Sequence, residues 1–252
     1  MEVTVVGSGT VVPRLGRRQS CVVVEAGGET LVFDLGSGAV RGMVRSGLDP
    51  FAVDRIFFTH FHPDHTVDAV NLLFTIKYGA EEERTRPLHL AGPEPFRRFW
   101  KSVLAVWGET MSGEYPTHVS ELPRKGTAPL DLPGCKLSWA PTEHSPESIA
   151  YRLDGPEGAF VYTGDTEYSK SVVGLARGAH TLLIECTGPD DEPLPHHLTP
   201  SGAARVAREA DVDRVVLTHL HPSVDDDSLA SKVREGYGGE VVVAEDGLRL
   251  RV

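Results

Sequence analysis

Cysteine is scarce in this chain: Cys21, Cys135 and Cys186 lie far apart with no CxxC pair among them. An odd, scattered set excludes a disulfide framework and a thiolate zinc site, and suits small buried residues in a reducing cytoplasm. Long apolar runs are missing as well. No stretch approaches the roughly 20 apolar residues that a membrane span needs. The opening "MEVTVVGSGT" has neither a basic nor a long apolar leader region, so a soluble, cytoplasmic protein without a membrane partner is expected. Positive charge is in short supply: 25 Lys and Arg face 36 Asp and Glu, a formal net charge of -11. That balance opposes non-specific binding to nucleic acid or an anionic membrane. "GSGT" is followed by neither a correctly spaced third glycine nor a Gly-Lys pair, which excludes a dinucleotide loop and a P-loop.

What is present is a globular composition, 40% hydrophobic and 24% charged over 252 residues, enough for one large core. Short β-like runs separated by Gly, Pro and Asp fill both halves: "EVTVVG", "CVVVEA", "TLVFDLG", "DRIFFTH", "KLSWAP", "SIAYRL", "AFVYTGD", "TLLIEC", "DRVVLTH", "EVVVAE" and "LRLRV". Phe96, Phe99, Trp100, Val103, Leu104 and Trp107 recur at helical spacing and predict a helix with one apolar face turned to the core. "LTPSGAARVAREA" predicts a second helix, with Thr199 as N-cap and Pro200 at the first helical position. Residues 54–63, "DRIFFTHFHP", are echoed by residues 213–222, "DRVVLTHLHP". The repeat predicts two similar sheet-and-helix halves, each ending a core strand with a histidine at one shared edge. No Ser/Gly-rich linker divides them, so residues 1–252 are expected to form a single domain. "YGAEEERTR" and "GETMSGEYPTH" read as exposed loops, with a lid or the edge of a homodimer as alternatives.

The chemistry is concentrated in "THFHPDHTVD", Thr59 to Asp68. Along an extended segment, side chains two apart point the same way. His60 and His62 can therefore grip one metal ion while the turn at Pro63 redirects Asp64 and His65 to another. Imidazole and carboxylate suit zinc; with no cysteine in the motif, manganese and iron stay open.

The order of HxHxDH, a distant single histidine, "TGD", and a last histidine after a strand resembles the metallo-β-lactamase superfamily over nearly the whole chain. The resemblance implies a four-layer αββα sandwich and two divalent metal ions. By position it implies His60, His62 and His144 at the first ion, Asp64, His65 and His219 at the second, and Asp165 of "VYTGDT" bridging. His219 is preferred to His221 because it lies nearer the rigid strand.

"HHLTPSGAARVAREA" and "LLIECT" further resemble the ribonuclease Z-like branch. That resemblance makes His197 the residue that assists the departing group, with Glu185 as its orienting partner. The reaction implied is hydrolysis of a phosphodiester, in RNA or a small cyclic phosphate, by a water activated between two metal ions, with Asp64 orienting the nucleophile and His197 as acid. One departure from the branch is plain. His144 and Asp165 are 21 positions apart, which leaves no room for the long Gly/Pro-rich arm that clamps tRNA in the processing ribonucleases. A lactone or thioester hydrolase and a metal-binding protein without turnover are the rival classes.

Overall fold

The computed structural model describes residues 1–124, 128–224 and 226–252. Its first sheet joins β1 (Glu2–Gly7), β2 (Cys21–Ala26), β3 (Glu29–Phe33), β4 (Val53–Phe57), β5 (Leu88–Pro93) and β6 (Thr117–Leu122) in that spatial order. The second joins β7 (Leu130–Leu132), β8 (Cys135–Pro141), β9 (Ile149–Asp154), β10 (Ala159–Tyr162), β11 (Thr181–Glu185), β12 (Arg214–Thr218) and β13 (Glu240–Val243). The last strand, β14 (Leu248–Arg251), crosses back to pair with β1 and completes two seven-stranded sheets. Helices α1 (Ala39–Arg45), α2 (Pro63–Thr66), α3 (Asp68–Gly79) and α4 (Phe96–Met111) belong to the first half, and α5 (Lys170–Ala176), α6 (Pro200–Ala210) and α7 (Asp226–Tyr237) to the second.

Three apolar layers follow from this arrangement. Phe33, Phe57, Tyr151, Phe160 and Tyr162 pack between the sheets. Met43, Leu72, Phe96 and Trp100 pack between the first sheet and its helices, and Val172, Ala203, Val206 and Leu229 do so on the second. The protein is thus a four-layer αββα sandwich. Sheets covered on both faces explain why strands such as "CVVVEA" read as continuous apolar runs rather than alternating ones. Strands β3 to β6 run parallel to one another, as do β10 to β13. Loops following the carboxyl ends of such strands are where open α/β sheets place their sites.

Helix α6 begins as expected. Thr199 Oγ1 accepts from the Gly202 N–H at 3.3 Å, with Pro200 at the first position. It ends at Asp211, whose φ of 53° lies in the left-handed region. Asp246, whose side chain is largely covered, accepts from the Ser8 and Arg18 backbone N–H groups and from both side chains, so the loop after β1 is tied to the far end of the chain. A bridge between Gly9 and Leu220 brings that loop beside the end of β12.

Strands β5, β6 and the three-residue β7 escape the sequence reading. β5 ends in Gly92 and Pro93, and β6 is a largely polar edge strand. The segment "GETMSGEYPTH" is not simply exposed: Met111 and Tyr115 are buried, and its last two residues open β6. The aromatic stripe turns inward only at its start. Phe96 and Trp100 are buried, while Leu104 and Trp107 stand 38% and 49% exposed.

This gradient predicts unequal costs along one helix face. Phe96→Ala should destabilise by about 3–5 kcal/mol through a core cavity, whereas Trp107→Ala should cost less than about 1 kcal/mol. Urea unfolding midpoints of the two variants check this; equal losses would mean that the outer end of the stripe is also packed.

Candidate metal centre

Two glycines let the chain reach the site. Gly36 passes so close to α2 that a Cβ there would lie 2.1 Å from the Asp64 carbonyl oxygen. Gly164 of "TGD" has a φ of +55°, and a Cβ there would lie 2.7 Å from that of Thr59. Larger residues would push the metal-type side chains apart. Three of the four non-glycine residues with positive φ among the described residues, Asp34, His196 and His219, sit at this same edge. Backbone held in a sparsely populated region is characteristic of functional sites.

The residues singled out in the sequence converge. His60, His62, His144 and Asp165 offer ligand atoms all within 4.8 Å of one another, as do Asp64, His65 and His219. His62 Nδ1 lies 3.0 Å from His60 Nε2 and 3.1 Å from His144 Nε2. The two oxygens of Asp165 divide between the groups. Oδ2 lies 3.6 Å from His144 Nε2 and 3.9 Å from His60 Nε2, while Oδ1 lies 3.3 Å from His65 Nε2 and 3.5 Å from His219 Nε2. Asp64 Oδ2 stands 3.6 Å from His219 Nε2. His221, by contrast, lies on the pocket wall and shares its Nδ1 with Ser223.

Among the described residues, His65 Nε2, His219 Nε2 and Asp165 Oδ1 are buried without a hydrogen-bond partner. Three unpartnered buried atoms facing one another are costly, and a divalent cation satisfies all of them at once. The donor set of imidazole and carboxylate fits such a cation. Burial pushes the His60 imidazole well below the ordinary histidine range. Burial acts on His65 in the same direction, but the Asp165 and Asp34 carboxylates outweigh it and hold that imidazole well above the ordinary value. Burial also opposes charge on Asp165, and His219 and His65 overturn it, holding the carboxyl well below the carboxylate range.

Around this cluster lies a layer of partners. His144 Nδ1 is 2.9 Å from the His196 carbonyl oxygen; a carbonyl only accepts, so Nδ1 carries the proton and Nε2 faces the cluster bare. The His196 side chain itself is exposed. His197 Nδ1 lies 2.9 Å from Glu185 Oε1. Burial works against the His197 imidazolium, yet the Glu185 hydrogen bond and charge carry its pKa up to about 9. The clustering of ligand atoms also admits His197 beside Asp165 and His219. Asp34, which sequence reasoning did not single out, is fully buried and lies 2.7 Å from His65 Nδ1. Its signal was there: "TLVFDLG" ends an apolar strand in a carboxylate and a glycine.

Val11, Val12 and Leu194 line the same cleft as the cluster, and this cleft has a volume of about 430 Å³. Between His144 and Asp165 the chain forms β9 and β10, a hairpin contained within the second sheet. Among the described residues, no helix is long and apolar enough to cross a membrane.

Comparison with known proteins agrees with this geometry. Residues 32–220 match the Beta-lactamase superfamily domain. A "Ribonuclease Z" of Myxococcus xanthus is 32% identical over all of this chain and 98% of its own length. Human tRNase Z, short form, superposes with a TM-score of 0.81 at 25% identity, covering 100% of this chain and 99% of that one. The metallo-β-lactamase fold protein YhfI of Bacillus subtilis superposes with a TM-score of 0.84 at 24% identity, covering 99% and 98%. With the fold, the motif order and the relatives in accord, the chain belongs to the metallo-β-lactamase superfamily, as a metal-dependent hydrolase of its ribonuclease Z-like branch.

Proposed function

We propose that the chain is a two-metal phosphodiesterase whose departing alkoxide is protonated by His197. The observation that carries the reading is Asp165, whose two oxygens face two separate groups of ligand-type side chains. His60, His62, His144 and Asp165 Oδ2 would hold one ion, and Asp64, His65, His219 and Asp165 Oδ1 the other. Ions bound there would neutralise charge developing on phosphoryl oxygens and would lower the pKa of a water to about 7. Zinc is the proposed ion, with manganese and iron as alternatives.

The protein's own groups do the rest. Asp64, at the edge of the cluster and lining the cleft, accepts a hydrogen bond from the attacking water and fixes its direction. His197 also lines the cleft and, with a pKa up to about 9, carries a proton at neutral pH. Its Nδ1–H is committed to Glu185, so the proton available to the leaving oxygen is the one on Nε2. As the P–O bond breaks, that proton passes to the oxygen and His197 becomes neutral. A lactone or thioester has less use for such an acid.

Relatives named Ribonuclease Z support RNA as the substrate class. A second reading, a nucleotide-sized or cyclic phosphodiester, is favoured by the site's surroundings. The alignment with the Myxococcus relative runs over 306 positions against this chain's 252 residues, so at least 54 have no counterpart here. The hairpin of β9 and β10 leaves nothing projecting between His144 and Asp165. The 430 Å³ cleft is within the size range of small-molecule pockets.

Elemental analysis of protein purified without chelator should find close to two transition-metal ions per chain, mainly zinc. A content that stays at zero after reconstitution would refute the reading. Turnover of a precursor tRNA, a 2′,3′-cyclic nucleotide and bis(p-nitrophenyl) phosphate, measured side by side with a lactone and a thioester, should favour the diesters. Cleavage of the two small diesters but not the tRNA decides for the second substrate reading. His197→Ala should keep both metals and lose about 10²–10⁴-fold in rate on alkoxide leaving groups, and least on p-nitrophenolate, which needs little protonation. His196→Asn, which tolerates the left-handed backbone and keeps the carbonyl that meets His144, should be nearly silent.

A further inference from the structure

Each half of the site contains a buried carboxylate with four hydrogen-bond contacts, and in each half one contact is a threonine hydroxyl that also touches a histidine. Glu185 accepts from the Thr166 N–H at 2.7 Å, the Leu198 N–H at 3.1 Å, His197 Nδ1 at 2.9 Å and the Thr187 hydroxyl. Asp34 accepts from the Thr59 N–H at 2.8 Å, the Thr59 hydroxyl at 2.8 Å, His65 Nδ1 at 2.7 Å and the Tyr162 hydroxyl at 2.9 Å. Both carboxylates are 0% exposed. Glu185 receives two donors on each oxygen, and Asp34 one on Oδ1 and three on Oδ2; a carboxylate so surrounded by donors acts as acceptor and has no proton of its own to give.

A hydroxyl has one proton, and this geometry commits it. Thr187 Oγ1 also lies 3.0 Å from the His219 carbonyl oxygen, but a carboxylate is the stronger acceptor. With its proton directed to Glu185, Thr187 Oγ1 has only lone pairs to offer His219 Nδ1, which lies 3.0 Å away. His219 Nδ1 must then be the donor. In the other half, Thr59 gives its proton to Asp34, and His60 Nδ1 at 3.0 Å must donate to Thr59. In both histidines the proton on Nδ1 leaves Nε2 bare, and Nε2 is the atom that faces Asp165.

We propose that Thr59 and Thr187 are positioning residues: each relays a buried carboxylate to a histidine, fixing His60 and His219 as the Nδ1–H tautomers with Nε2 free for a metal ion. The two threonines serve different ions, Thr59 the first through His60 and Thr187 the second through His219. Glu185 thereby acts on two histidines, directly on His197 and through Thr187 on His219. The inference rests on the two-metal reading above for its consequence, though not for the tautomers themselves.

The test has two arms. In metal-free wild-type protein, long-range 1H–15N correlation spectra should show His60 and His219 protonated at Nδ1; either histidine as the Nε2–H tautomer overturns the proposal without any variant. In the second arm, zinc content and affinity are measured against a competing chelator for wild type, Thr187→Val, Thr187→Ser and Thr59→Val. Valine keeps the branched shape and removes the hydroxyl. Thr187→Val should bind one ion normally and the other about 10–100-fold more weakly, the usual cost of losing a group that orients a metal ligand. Thr187→Ser should restore it, and Thr59→Val should weaken one ion independently. Two ions bound by Thr187→Val with wild-type affinity, or Thr187→Ser as weak as the valine variant, would overturn the relay. Wild-type protein that binds no zinc would sink the two-metal reading instead and leave the spectra to decide the tautomers.

Discussion

A carboxylate removed from water must find a donor for nearly every lone pair, because an unmet buried charge costs several kcal/mol. At Asp34 those donors come from places far apart in the chain: the end of β4, the short helix α2 and, across the sandwich, Tyr162 on β10. Satisfying one side chain therefore pins the two sheets to each other at the edge where the histidines emerge. The left-handed backbone of Asp34, with φ of 59°, is held there by those contacts. The rest of the site is built outward from this anchor: Thr59 is fixed, then His60, then His65, and with them the wall that Asp165 faces.

Glu185 repeats the arrangement in the second half. It ends β11 as Asp34 follows β3, and it gathers two backbone N–H groups, one histidine and one threonine. The two halves differ in what their directly bonded histidine meets. His65 is fully buried and faces the unpartnered oxygen of Asp165, whereas His197 stands at the cleft, half-screened, with a pKa up to about 9. In the proposed mechanism the same carboxylate–histidine pair would supply a ligand in one half and an acid in the other. Carboxylates raise the pKa of both imidazoles; what differs is that His65 is enclosed against Asp165 while His197 borders the cleft.

The dense motif around His60 and the "TGD" turn were legible because their members are close in sequence or marked by turn chemistry. So were the echo of β4 and β12, the α6 cap and most strands. Single residues whose importance depends on a partner in another element were not. Thr187 is an ordinary threonine after "LLIEC" until His219 is brought 3.0 Å from it. Tyr162 reads as a strand aromatic until its hydroxyl meets Asp34. The edge strand β6 and the Gly-Pro end of β5 carry too little apolar periodicity to show in the sequence, since their neighbours, not their own pattern, hold them in the sheet.

The sequence by itself determined which atoms could take part: imidazoles and carboxylates at the ends of strands, in an order shared with a known superfamily, and a His144–Asp165 spacing too short for an arm. Only the tertiary structure decided which nitrogen of each histidine faces the cluster, which oxygen of Asp165 serves which group, and which residues hold them there. The physical reason is that ligand identity is a property of local sequence, whereas tautomer, orientation and desolvation depend on distances across the two sheets, set only when the sandwich closes.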